Sequence, residues 1–157
     1  MRRDFTLREL AACAGREVAV GDWHLVTQEQ IDLFARATGD FQWIHTDPVR
    51  ARATPAGSTI AHGYLTLSML SRFRTDAIRV TDAAHSVNYG LNRVRFTAPV
   101  PVDHRIRARF TLASAAFAEK QAAWQFEWLC VVEIDGSARP ACVAEAISLY
   151  YPATPSP

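Results

Sequence analysis

Two short segments of this chain carry groups whose types and spacing could do proton chemistry beside a polarised carbonyl. Gly39-Asp40-Phe41-Gln42-Trp43-Ile44-His45 offers a carboxylate and an imidazole five residues apart, which is the raw material of an acid/base pair. Ala61-His62-Gly63-Tyr64 offers a glycine amide which, at the start of a helix, lacks an intrahelical carbonyl and can donate to an oxyanion. Asp40 and His45 cannot share a regular helical face at that separation, so the pair needs an irregular loop. Beside them, His62 reads as a shaper of the turn or pocket wall, and Trp43 and Tyr64 as pocket wall or core.

The elements that must position these groups are legible on either side. Thr27-Gln28-Glu29-Gln30 matches a capping box, Ile31, Phe34 and Ala35 give one apolar face, and Gly39 supplies a left-handed stop, so a helix is predicted over 28–38. Asp47-Pro48 looks like an N-cap and first helical residue for a turn over 49–53, which Thr54-Pro55-Ala56-Gly57-Ser58 breaks. Tyr64, Leu65, Leu67, Met69, Leu70 and Phe73 then predict a helix apolar around most of its circumference and therefore buried. Leu7, Leu10, Ala11 and Ala14 suggest a short N-terminal helix that Gly15 ends. Segments 87–89, 94–97, 105–118, 122–135 and 141–151 read as strands of an antiparallel sheet. Trp124, Phe126 and Trp128 alternate with polar residues, as Ile106, Ala108 and Phe110 do with three arginines.

Together the Gly39-Asp40 to His45 segment, the His62-Gly63 helix start and the flanking elements resemble the MaoC-like, (R)-specific enoyl-CoA hydratase family of the hotdog superfamily. That family's signature runs Gly-Asp, a bridge usually containing Asn-Pro, an apolar residue, then His; here Gln42-Trp43 stand where Asn-Pro usually stands. The resemblance covers most of the chain. It implies an α+β hotdog fold, a curved antiparallel sheet of about five strands wrapped around a long central helix, in one domain over 1–151. It also implies reversible syn addition of water to a trans-2-enoyl thioester giving an (R)-3-hydroxyacyl product. Asp40 would be the base, His45 would polarise the water and supply the C2 proton, and the Gly63 amide would hold the thioester oxygen.

On the same resemblance, Gln42, Trp43, His62, Tyr64 and Ser71 are candidate substrate contacts. Gln42 offers an amide where the usual Asn could orient the pair, whereas a Ser within a buried helix more often bonds a carbonyl one turn back. No cofactor and no metal are expected, the acyl-CoA or acyl-carrier thioester being the substrate, and a homodimer is implied. The alternatives are a (3R)-hydroxyacyl-carrier-protein dehydratase, which would meet an acyl carrier protein, a hotdog thioesterase, and a non-catalytic acyl-thioester-binding subunit of a heterodimer. Singly, Asp40 could be a helix-terminal Asp and His45 a turn histidine; their joint occurrence with Gly63 favours catalysis.

Bulk properties narrow the partners. The 157 residues fit one core; 17 Lys and Arg against 16 Asp and Glu leave a net charge of +1, so no global field recruits nucleic acid or an anionic membrane. Cys13, Cys130 and Cys142 are odd in number, far apart and without C-x-x-C spacing, and read as reduced cytosolic thiols. His24, His85 and His104 lack a neighbouring ligand set, and Arg93 or Arg95 could meet a phosphate or simply face solvent. No run approaches a membrane span, which predicts a cytoplasmic protein, and the Pro-rich tail 152–157 is expected to end the fold or be disordered.

Overall fold

In the computed structural model, which describes residues 2–153, period-two alternation builds the platform on which everything else rests. Strand β6 (Arg105–Ala118) turns Ile106, Ala108, Phe110 and Leu112 inward, each at most 1% exposed, and its arginines outward. Its neighbour β7 (Ala123–Ile134) answers in register, with Ile106 opposite Ile134, Ala108 opposite Val132 and Phe110 opposite Cys130. Aligned apolar rows of this kind fix register, because a slip of one residue would send the whole row into water. Outward, Arg107 pairs with Glu133, and Arg109 with Glu17 and Glu133.

Next to β7 lies β8 (Cys142–Pro152), and β8 carries β5 (Ala83–Phe96); at the other side β6 pairs with β2 (Arg16–Val20) and β3 (His24–Leu25). The result is a six-stranded antiparallel sheet. Separately, β1 (Arg3–Phe5) runs parallel to β4 (Ile78–Val80). The two strands expected over 87–89 and 94–97 are one. Register shifts at Asn88/Gly90 and Leu91/Arg93 absorb extra residues while pairing with β8 continues from Ala83 to Phe96. Strands β1, β2, β3 and β4 were not expected; they are two to five residues long and too short to display a period.

Among the described residues there are five α-helices: α1 (Leu7–Ala11), α2 (Gln28–Thr38), α3 (Trp43–Thr46), α4 (Pro48–Ala51) and α5 (Gly63–Ala77). The long α5 packs on β6, β7 and β8 through Thr66, Leu70, Phe73 and Ala77. Burial all round is not what the fold provides, since Tyr64 is 70% exposed and only one stripe of α5 enters the core. The sheet also runs past the expected boundary at 151: Pro152 closes β8 and the Ala153 N–H donates to the Asp82 carbonyl. The rest of the Pro-rich tail lies outside the described residues. Among the described residues no helix is long and apolar enough to cross a membrane.

Beneath α5, the Trp128 indole N–H donates to Ser148 Oγ at 2.9 Å, both groups buried. Ser148→Ala would leave that donor unpaired, and urea unfolding is expected to register a loss of about 2 kcal/mol. An unchanged midpoint would mean that the indole finds another acceptor.

Candidate active site

The site begins where α2 ends. Thr27 and Gln30 form the expected reciprocal cap, and at the other end Gly39 adopts φ 78°, its N–H donating to the Ala35 carbonyl. A left-handed residue turns the chain sharply out of the helix at little cost only when it is glycine. Asp40 therefore leaves the helix axis, exposed, with its N–H on Thr38 Oγ1 and its Oδ1 accepting the Gln42 N–H at 3.3 Å. The bridge residue thus orients Asp40 through its backbone rather than through its side-chain amide. Trp43 turns aside and stacks under the Arg50 guanidinium, 4.2 Å from its ring centroid.

His45 sits in the short helix α3 and is 7% exposed. Its Nδ1 lies 2.7 Å from the Ile60 carbonyl, and because a carbonyl can only accept, Nδ1 carries the proton and neutral His45 has its lone pair on Nε2. The Ile60 N–H returns a bond to the Ile44 carbonyl, so the 60–62 segment is laced to α3 from both sides. One residue that sequence reasoning missed completes the support. Gln28, in the first turn of α2, donates to the His45 carbonyl and to Asp32 and accepts from Thr59 Oγ1. Only its place beside the capping box marks it in the sequence.

Burial, first of all, lowers the His45 pKa from the usual imidazole range; the nearby His62 adds to the effect, while the Ile60 carbonyl and Asp40 oppose it. The folded state therefore resists a proton that the unfolded chain takes up near pH 6.5. His45 thus contributes stability that is present above about pH 6.5 and drains away as the pH falls through its lowered folded value. Between pH 7.5 and 5 the melting temperature of the protein is expected to fall more steeply than that of a His45→Gln variant. Parallel curves would rule His45 out as the cause.

His62 is 3% exposed, with Nε2 3.0 Å from the Asp40 backbone carbonyl and its ring stacked on that of His45, centroids 3.8 Å apart and planes inclined by 26°. One ring nitrogen of each histidine and one Asp40 carboxylate oxygen lie within 4.8 Å of one another. This donor set could in principle hold a divalent ion. However, imidazole lone pairs lie in the ring plane, and two rings stacked face to face send them side by side rather than toward one point. A proton or a water molecule suits the arrangement better than a metal.

Gly63 opens α5, where the first amides have no carbonyl within the helix. A Cβ on Gly63 would meet the Phe96 ring at 2.9 Å, so a side chain fits there only if that ring moves. Tyr64 stands edge-on to Phe96, largely in solvent. A cavity of about 300 Å³ is bounded by His45, Gly63, Thr66, Phe96, Ala98 and Pro99, among others, so the imidazole and the helix start face one space. Ser71 lines a different cavity, of about 270 Å³, with Leu67, Arg74, Asn88, Phe110 and Cys130. There Ser71 does not bond a carbonyl one turn back as expected; Asn88 Nδ2 donates to its Oγ, and Arg74 donates to Asn88 Oδ1.

Cys130 and Cys142 are buried in the sheet, and burial pushes their thiols up to about 12 and about 11, which leaves them without thiolate character at neutral pH. Chemically, a lone-pair imidazole and a helix-start amide face one small apolar space, and a carboxylate oxygen of Asp40 lies within 4.8 Å of a ring nitrogen of that imidazole.

Comparisons with known proteins identify the family. Residues 9–123 match the family model described as the MaoC like domain. The chain is 48% identical over 150 residues to 3-hydroxyacyl-thioester dehydratase Z of Mycobacterium tuberculosis (strain ATCC 25618 / H37Rv), covering 96% of this chain and 99% of that protein. It is 39% identical over 149 residues to Nodulation protein N of Rhizobium leguminosarum bv. viciae, covering 93% and 91%. Among solved structures, the unliganded R-hydratase PhaJ1 from Pseudomonas aeruginosa superposes with a TM-score of 0.75 at 18% identity over 94% of this chain and 86% of that one, a likeness of fold.

Proposed function

The chain belongs to the MaoC-like hydratase/dehydratase family with the hotdog fold, and from that premise we propose that it is an (R)-specific enoyl-CoA hydratase. The proposed reaction is the reversible syn addition of water to a trans-2-enoyl thioester. The observation that carries this reading is that His45 and the Gly63 helix start line one small, mostly apolar space, while an Asp40 carboxylate oxygen lies within 4.8 Å of a ring nitrogen of His45.

In this reading the thioester oxygen lies against the Gly63 amide, where the positive end of α5 stabilises the charge it gains as C3 is attacked. A water molecule is gripped between the Asp40 carboxylate and His45 Nε2. As its oxygen bonds to C3, one O–H breaks and the carbon–carbon π pair shifts through the thioester to its oxygen. When that pair returns, C2 takes a proton from the same face. Neutral His45 has committed its proton to Ile60, so it brings a lone pair to the water rather than a proton to the substrate. The proton delivered to C2 is then the one the pair removed from water, shared between two coupled groups. That revises the simpler expectation in which His45 arrives as the donor.

Dehydration is the same path reversed, and the similarity to a protein named 3-hydroxyacyl-thioester dehydratase favours keeping the elimination direction as a second reading. No step needs a cofactor. Dimerisation belongs to the proposal as well. Strand β5 is an unpaired edge, exposed along nearly its whole length, and presents Val87, Tyr89 and Leu91 at 40, 56 and 46% exposure. A second copy continuing the sheet there would cover both edge and face. Cytoplasmic location fits the free cysteines, and acyl thioesters, carried on coenzyme A or on a carrier protein, are the expected partners.

The test is to mix the protein with crotonyl-CoA, follow loss of the conjugated thioester absorbance, and resolve the enantiomers of the product. Formation of the (R)-alcohol supports the reading. Hydration of enoyl groups only when they are attached to a carrier protein would replace it with the carrier-protein dehydratase, and binding without turnover with the non-catalytic subunit.

A further inference from the structure

His62 occupies the N-cap of α5, yet its side chain makes no capping bond. It reaches back across 22 residues to the Asp40 backbone carbonyl instead. The carbonyl accepts, so Nε2 carries the proton and Nδ1 is left with a lone pair. That Nδ1 is buried and has no hydrogen-bond partner. A buried polar atom without a partner is destabilising, a cost that an apolar ring of similar size would avoid. The imidazole must therefore return something that packing does not require. Its ring lies between Phe34, at 5.1 Å between centroids, and His45, at 3.8 Å. A single side chain thus touches both members of the pair, one through a hydrogen bond and the other through a ring face.

We propose that His62 is a positioning residue for the reaction. Its Nε2–H fixes the Asp40 main chain and its ring fixes the plane of His45, so that the carboxylate and His45 Nε2 meet the same water. The inference rests on the reading of Asp40 and His45 as the acid/base pair, and goes beyond it by assigning a task to a third side chain. Apart from the His62 bond, exposed Asp40 is held by short-range bonds, its N–H donating to Thr38 Oγ1 and its Oδ1 accepting the Gln42 N–H. Without a tertiary anchor the loop opened by Gly39 could swing the carboxylate by an ångström or more, and displacement of that size costs about a hundredfold in rate.

Two substitutions separate the contacts. His62→Phe keeps a ring between Phe34 and His45 and removes the donor; His62→Gln keeps a donor and removes the ring. With enoyl-CoA as substrate, His62→Phe is expected to lower kcat about 30-fold with KM held within about threefold, at a melting temperature equal to or above that of the parent. His62→Gln is expected to recover about a third or more of the lost turnover on a logarithmic scale. Turnover by His62→Phe within about threefold of the parent, or a rise in KM at constant kcat, would overturn the proposal and make His62 a pocket wall.

A readout without substrate keeps this separate from the function itself. Nitrogen-15 spectra of the histidine rings should show a proton on His62 Nε2, and the Asp40 carbonyl carbon-13 resonance should move in His62→Phe. A proton on Nδ1, or an unmoved Asp40 carbonyl, defeats the proposal even if the protein turns over no enoyl thioester.

Discussion

Asp40→Asn is expected to lower kcat on an enoyl thioester by about 10³-fold, within the range that a positioned acid or base supplies. The substitution keeps the side chain's shape and an Oδ1 able to accept the Gln42 N–H, so the loop after Gly39 retains its local bonds. What it removes is the capacity to take a proton from water. Because Asp40 is exposed and outside the core, the melting temperature should stay within about 2 °C of the parent, as for most surface changes. KM should also change little, since an uncharged amide still accepts a hydrogen bond from the same water. Steady-state kinetics together with a thermal melt decide the matter. Residual turnover within tenfold of the parent would mean that His45 Nε2 alone removes the proton and that the carboxylate only orients.

Gly63→Ala should be the second most damaging change. A methyl group at this position meets the Phe96 ring at 2.9 Å, and it also stands beside the amide assigned to the thioester oxygen. Phe96 is 44% exposed, so its ring can yield toward solvent and the cost in stability should be small. Catalysis cannot yield in the same way, because an oxyanion must lie within hydrogen-bond distance of its donor. A fall in kcat/KM of about 10²-fold is expected, comparable to the loss of one oxyanion donor. The double variant Gly63→Ala/Phe96→Ala tells the two obstructions apart. If the methyl group itself blocks the approach, removing the Phe96 ring restores nothing; if activity returns, the displaced ring was the obstacle.

Parts of this architecture were legible in the sequence because they depend on near neighbours. The Thr27–Gln30 capping box, the left-handed stop at Gly39 and the Asp47-Pro48 helix start are closed by contacts within four residues, and all three occur at the positions read from the sequence. The alternation in β6 and β7 was equally plain, since one face of each strand meets the core. Strand β5 was read as two pieces, over 87–89 and 94–97, whereas bulges carry the pairing across the residues between them. The α5 helix was overread as buried all round, since its composition alone does not say that Tyr64 faces out.

Within the site, the spacing of Asp40, His45 and Gly63 was readable, but the contacts that orient them were not. Ile60 holds His45 by a main-chain carbonyl, which no side-chain identity reveals. Gln28 reaches His45 across 17 residues, and His62 reaches Asp40 across 22. Such bonds depend on how α2, α3 and the start of α5 pack together, and a single sequence carries no local mark of them.

The order of elements along the chain has a consequence for synthesis. The buried stripe of α5, with Leu70, Phe73 and Ala77, leaves the ribosome before β6, β7 and β8, on which it packs, and β8 is complete only at Pro152. At usual elongation rates that interval is on the order of 4 to 15 s. Until then the nascent chain carries an apolar helix and a half-built reaction centre without those three strands beneath them. Substitutions that slow the joining of β6, β7 and β8 should therefore reduce the yield of soluble protein, while the molecules that do fold keep their full turnover.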